Sequence, residues 1–169
     1  METRMVQVAS NGEQIGAYVA KPDGQGPFPA VVVIMEVWGL VDHIKDVTER
    51  FAREGYVGIC PDLFHRTNGP GPIKDMADIM RVVGGLPDRQ AVRDMKGSVE
   101  YLKAQPYVKK DAIGVVGFCM GGTYSYLLAC DSRDIKACIV FYGRMVYKET
   151  NQTKPVSPID RVPDLGCPL

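Results

Sequence analysis

The residues best suited to chemistry converge on Gly117-Phe118-Cys119-Met120-Gly121-Gly122. An apolar run, Ala112 to Val116, leads into them. The spacing Gly-x-Cys-x-Gly is that of a nucleophile elbow with cysteine in the place serine usually takes. In such an elbow a strand carries the nucleophile to a sharp turn and a helix leaves at once. Glycine is expected at Gly117 and Gly121 because a side chain there would strike the neighbouring strand or helix. The competing reading is a buried structural thiol, since free cysteine packs as a small hydrophobe. The complete strand–turn–helix setting favours the nucleophile.

A thiol attacks a carbonyl as thiolate, so it needs a base, a cation or a helix N-terminus. Cys119 is predicted at the positive end of a helix running from Met120 to Cys130. The backbone N–H of Met120 then supplies one oxyanion donor. The second is expected from the loop after the Ala30–Met35 strand, with Val37 of Glu36-Val37-Trp38-Gly39 as the candidate. Glu36 ends a strand that is otherwise apolar, where a carboxylate is costly unless paired or used. A Cys119 thiol donating to Glu36 is the expected resting arrangement; a solvated strand-end carboxylate is the alternative. Arg66 follows Pro61-Asp62-Leu63-Phe64-His65, in the kind of loop that lines a ligand crevice. It reads equally as a bidentate clamp for a substrate carboxylate or as an ordinary surface arginine. Trp38 and Tyr142 can line a pocket or pack in a core. The chain has two histidines: His43 reads as a surface or capping residue, and His65 is the better of two poor candidates for a base.

Elements must position these residues. Met5–Val8 and Ile15–Ala20 read as a hairpin turned at Asn11-Gly12, where both residues tolerate positive φ. Ala30–Met35, Tyr56–Cys60 and Lys136–Tyr142 read as buried strands. Asp42 and Asp88 are placed as caps of helices reaching about Glu54 and Gln105, and a shorter helix is expected over Ile73–Val83. Strands alternating with helices imply a mostly parallel sheet covered on both faces, preceded by the antiparallel hairpin. Residues 150–169 carry prolines and scattered polar groups without periodicity. Residues 144–169 are therefore read as a loop-like tail leading towards a further strand near Cys167-Pro168-Leu169.

Composition bounds the function. The 169 residues suffice for one domain, read as a single, incomplete unit over 1–169. Twenty basic residues balance twenty acidic ones, which offers no electrostatic case for nucleic acid or an anionic membrane surface. The N-terminus lacks the apolar core of a signal peptide, and the longest apolar run is far too short for a bilayer. Five cysteines without a C-x-x-C spacing suggest neither a disulfide framework nor a zinc site, so a reducing cytoplasm is the expected setting.

With these pieces in place the chain resembles the dienelactone hydrolases (carboxymethylenebutenolidases), α/β-hydrolases with a cysteine nucleophile. Glu36-Val37-Trp38-Gly39 is similar to the family's oxyanion segment. Pro61-Asp62-Leu63-Phe64 with Arg66 resembles its substrate-binding loop. Gly114 to Gly122 resembles its elbow, and Phe141-Tyr142-Gly143 its following strand end. The resemblance implies hydrolysis of a small lactone or ester through an acyl-enzyme on Cys119. Val37 and Met120 would hold the oxyanion, Glu36 would stand beside the thiol, and Arg66, with Trp38 nearby, would bind a carboxylate-bearing substrate. No metal or organic cofactor is implied. In the α/β-hydrolase order an acid and a histidine follow the nucleophile, and no histidine follows Cys119. The chain is thus expected to be the N-terminal two-thirds of such an enzyme, with Asp and His beyond Leu169. The alternative is a non-catalytic domain that binds or associates, with an uncovered apolar sheet edge as the surface for self-association.

Overall fold

The structure, a computed structural model, describes residues 1–169. Its strands are β1 (Glu2–Ser10), β2 (Glu13–Lys21), β3 (Phe28–Ile34), β4 (Val57–Pro61), β5 (Val108–Phe118) and β6 (Ile135–Phe141). Its helices are α1 (Asp42–Arg53), α2 (Met76–Gly85), α3 (Asp88–Ala104) and α4 (Met120–Asp131), with 3₁₀ turns at His65–Thr67 and Pro158–Asp164. No helix is long and apolar enough to cross a membrane.

The sheet runs β1-β2-β4-β3-β5-β6. The hairpin β1-β2 and the β2-β4 pair are antiparallel, and the rest is parallel. The hairpin turns at Asn11 and Gly12, with φ of 50° and 85°, as that dipeptide predicts. Helix α1 packs on β2, β3 and β4, while α3 and α4 pack together against the sheet. The continuous apolar run Ala30–Met35 is almost wholly excluded from solvent, as a central parallel strand must be. This is the three-layer, mostly parallel α/β-hydrolase architecture with an antiparallel hairpin at its start.

Register decides what meets at the carboxyl end of the sheet. Ile34 pairs with Gly117, and Gly117 with Val140. Two residues beyond that shared level, the three adjacent strands deliver Glu36, Cys119 and Tyr142. Strands lie about 4.8 Å apart, so these residues are neighbours although far apart in sequence.

Several local expectations change. The residue flanking α1 is Val41, which makes no side-chain cap; Asp42 lies inside the first turn and pairs with Lys45 at 3.4 Å. Helix α2 starts later than the apolar pattern suggests, because Asp75 caps it by accepting the Asp78 N–H at 3.0 Å. Asp88 is not a cap either. Its carboxylate turns inward, accepting from Lys154 Nζ at 2.7 Å and from the Tyr147 hydroxyl at 3.0 Å. Lys154 Nζ also donates to Leu86 O at 2.9 Å and to the Tyr124 hydroxyl at 2.7 Å. Burial pulls the Lys154 ammonium below its ordinary range, and it pushes the Tyr124 and Tyr147 phenols above theirs. This buried cluster ties the segment after β6 to the start of α3.

Strand β6 is the sheet edge and is not buried on both faces. Ile135 and Cys138 are covered, while Ile139 and Phe141 are about half exposed. Along its outer side the Cys138 N–H donates to Pro168 O at 3.0 Å.

Candidate active site

Cys119 sits between β5 and α4 with φ 57° and ψ −122°, a conformation that a side chain rarely adopts. The glycines around it make that turn possible. A Cβ on Gly117 would overlap the carbonyl of Gly121, and one on Gly121 would run into the carbonyls of Ile34 and Met35 in the neighbouring strand segment. A Cβ on Gly122 would lie 2.7 Å from Phe141 O. The elbow is thus wedged between β3 and β6, as its glycine spacing predicts. The Cys119 N–H donates to Phe141 O at 3.0 Å, and the rings of Phe118 and Phe141 stack at 5.0 Å.

Two backbone N–H groups adjoin Cys119 in the fold: that of Met120, its neighbour in the chain, and that of Val37, just past the end of the adjacent strand β3. In the first turn of α4 the Gly122 and Thr123 N–H groups donate to Cys119 O at 3.0 and 3.4 Å, which leaves the Met120 N–H without a partner in the helix. The Val37 N–H donates to no protein acceptor, in a loop shaped by Gly39 N–H to Glu36 O at 3.3 Å and by Gly39 at φ 85°. The side chains of Val37 and Met120 are buried, so packing fixes both backbones.

Glu36 is half-buried, and its Oε1 accepts the Tyr142 hydroxyl at 3.1 Å. No hydrogen bond joins the Cys119 thiol to Glu36, so the expected resting contact is replaced: the phenol occupies the acceptor. Desolvation first, then the Glu36 carboxylate and the nearby Cys119 sulfur, push the Tyr142 phenol above its ordinary range. Tyr142 itself has φ 42° and is 69% exposed, and Trp38 is 47% exposed. Core packing therefore explains neither residue.

Arg66 is placed otherwise than the sequence suggests. Its Nη1 and Nη2 donate to the Asp94 carboxylate at 2.8 and 3.1 Å, and its Nε to Glu13 at 2.6 Å. Asp94 is fully buried and also accepts from the Ser10 hydroxyl. The guanidinium is therefore committed, in bidentate fashion, to a carboxylate of α3. His65 is exposed and accepts the Gly16 N–H at 3.4 Å through Nδ1, against β2; His43 is exposed on α1. Neither histidine is hydrogen-bonded to Cys119 or Glu36.

The structure thus brings together Cys119, Glu36, Val37 and Met120 at one end of the sheet, leaves Trp38 half exposed in the loop after β3, and engages Arg66 elsewhere. Sequence reasoning missed the Tyr142–Glu36 bond, although Phe141-Tyr142-Gly143 closing a strand was a usable signal. It also missed Asp94, a carboxylate inside an amphipathic helix with nothing local to mark it. Chemically, the arrangement sets a thiol, two backbone N–H groups and a carboxylate at the carboxyl ends of adjacent strands.

Comparison with known proteins identifies the family and the fold. The model of the dienelactone hydrolase family matches residues 15–169. A Bradyrhizobium protein named "Probable 2-oxo-3-(5-oxofuran-2-ylidene)propanoate lactonase" is 35% identical over 164 residues, covering 97% of this chain and 65% of its own length. A Yersinia pestis protein named as a carboxymethylenebutenolidase is 34% identical over 167 residues, covering 96% of this chain and 61% of its own length. A Klebsiella pneumoniae crystal structure described as a dienelactone hydrolase superposes with a TM-score of 0.91 at 31% identity, over 99% of this chain and 70% of that one. The chain therefore spans less than two-thirds of the length of these two curated relatives.

Proposed function

The chain belongs to the dienelactone hydrolase family, and from that premise we propose that it carries the acylation half of a hydrolase for small lactones or esters. The observation that supports this most directly is the common level at which β3, β5 and β6 deliver Glu36, Cys119 and Tyr142. The thiolate sulfur of Cys119 attacks the carbonyl carbon, and the displaced π pair moves to oxygen. The N–H groups of Val37 and Met120 bind that oxyanion. Its collapse expels the ring or ester oxygen and leaves a thioester on Cys119. Water then attacks the thioester, the acid is released and the thiol is restored. Glu36 is the proposed acceptor of the thiol proton, once Tyr142 gives up its bond to the carboxylate. The lactone in the name of the Bradyrhizobium relative supports the substrate class.

Neither histidine touches Cys119, so acylation is expected to outrun deacylation. In p-nitrophenyl acetate, the 169 residues are expected to release a burst approaching one equivalent of nitrophenolate, followed by slow turnover. Cys119→Ala should abolish the burst. Iodoacetamide near neutral pH should label Cys119 ahead of Cys60, Cys130 and Cys138, which are buried with their thiols pushed up by burial. A Cys119 that neither acylates nor alkylates would sink this reading and favour a non-catalytic binding domain.

A further inference from the structure

We propose that Cys138 and Cys167 are a redox modification site, at which a low-molecular-weight disulfide such as oxidised glutathione converts the two thiols into an intramolecular disulfide across the edge of the sheet. The pair lies outside the site around Cys119 and does not depend on the hydrolase reading. Cys130 on α4 and Cys138 on β6 are buried, and Cys167, beyond the 3₁₀ turn at Pro158–Asp164, is half-buried. These three of the five cysteines meet at the outer edge of the sheet, whereas Cys60 is enclosed in β4. They do not form a metal site, because no group of three or more His, Cys, Asp or Glu side chains is arranged to hold an ion.

The segment after β6 is fastened back over this edge at three points. The Cys138 N–H donates to Pro168 O at 3.0 Å. The Cys130 thiol donates to Arg161 O at 3.4 Å. A Cβ on Gly166 would overlap the Arg133 side chain, so Gly166 lies against the turn between α4 and β6. Cys167 is thus held between Gly166 and Pro168, beside Cys138. Paired chains run about 4.8 Å apart, and consecutive Cα atoms about 3.8 Å. A disulfide needs Cα atoms about 4.4–6.8 Å apart, which a small shift of this segment reaches. The sulfurs also feel one another: burial first, then Cys167 and Cys130, push the Cys138 thiol up to about 12. Access divides the roles. Cys167 is partly exposed, and Lys136 opposes the effect of burial on its thiol, so it is the entry point. Cys138 is closed to solvent and its sulfur makes no hydrogen bond, whereas the Cys130 thiol is engaged by Arg161 O. The Cys167 thiolate attacks one glutathione sulfur, breaks the S–S bond, and one glutathione thiolate leaves. The Cys138 thiolate then attacks the Cys167 sulfur of the mixed disulfide and expels the second. The cysteine pair is oxidised, one glutathione disulfide is reduced to two thiols, and those thiols take up the two cysteine protons.

The test uses the 169-residue chain carrying Cys119→Ala, so that the elbow thiol cannot compete. The folded protein is incubated with oxidised glutathione, remaining thiols are blocked with N-ethylmaleimide, and the digest is read by mass. A peptide linking Cys138 to Cys167 is expected, with an intact mass lower by two hydrogens, and dithiothreitol should reverse both. Over time, glutathione on Cys167 should rise first and decay as the linked peptide grows. Adding Cys138→Ala should stop the reaction at glutathione on Cys167, and adding Cys167→Ser should leave Cys130 and Cys138 as free thiols. The oxidised protein should unfold at higher urea than the reduced one, a shift that Cys167→Ser abolishes. Cys167 left free, a link from Cys167 to any other cysteine, or a link that forms only in urea overturns the proposal. The time course decides it even where Cys138→Ala fails to fold, since it needs no substitution in the pair.

Discussion

At the scale of the residue, Cys119 combines a reactive group with an unfavourable backbone. A non-glycine residue held at such a φ costs about 1–3 kcal/mol, and the surrounding contacts must hold it there. Gly117, Gly121 and the Phe141 carbonyl do so. This makes a stability measurement informative about function. Cys119→Gly relieves the strain, whereas Cys119→Ala keeps it while removing the same sulfur. The glycine variant is expected to unfold at higher urea than the alanine variant, by about 1 kcal/mol after glycine's own entropy cost is set against the relief. Equal midpoints would mean that the elbow stores no strain. Tyr142 shares the feature, with φ 42° one strand away. The two strained residues therefore stand beside Glu36, the phenol bonded to its carboxylate.

At the scale of the element, glycines with the same letter have opposite roles. Gly121 opens α4 under the carbonyls of Ile34 and Met35, while Gly84 lies in α2 with nothing near its Cα hydrogens. Gly121→Ala must therefore push α4 off β3, and a loss of several kcal/mol or failure to fold is expected. Gly84→Ala should stabilise by about 0.5–1 kcal/mol, through helix propensity and a less disordered unfolded chain. Thermal melts of the two variants check both signs; a tolerated Gly121→Ala would remove the wedge from the account of the elbow. The elements themselves were largely legible. The run Ala30–Met35 and the stripe Val92, Met95, Val99 and Leu102 state their burial by composition and period. Cap assignments were less so. Asp88 looked like any helix-starting aspartate until Lys154, 66 residues away in sequence, was found to hold it.

At the scale of the whole molecule, buried protons set the alkaline limit of stability. Burial pushes the Cys60 thiol far up and the Cys138 thiol up to about 12, and it raises the phenols of Tyr124 and Tyr147. In the unfolded chain thiols ionise near about 8.5 and phenols near about 10. Above those values the unfolded state releases protons that the folded state keeps. Stability from these groups is thus fully present below about pH 8.5 and is lost as pH rises. Lys154 acts oppositely, since its folded value is lowered; between that value and about 10.4 it favours folding as pH rises. The raised groups outnumber it, and each contributes a slope of about 1.4 kcal/mol per pH unit once engaged. Under reducing conditions the urea midpoint is expected to fall between pH 8 and pH 10.5. A flat or rising midpoint would show that these groups titrate alike in both states.

The amino-acid sequence by itself determined the strand–turn–helix elbow, the loop Glu36-Val37-Trp38-Gly39 after β3 and the alternation of strands and helices. Those features are local: glycine spacing, apolar period and turn chemistry act over a few residues, and Gly117-Phe118-Cys119-Met120-Gly121 carries its own geometry. Only the tertiary structure decided which charges were free to act. Arg66 in its loop reads equally as a clamp or as a surface arginine until Asp94 and Glu13 take it. Glu36 likewise waited on β6 to bring Tyr142 to its carboxylate. Ion pairs and hydrogen bonds depend on distances of a few ångströms between residues far apart in the chain, and sheet order and register set those distances.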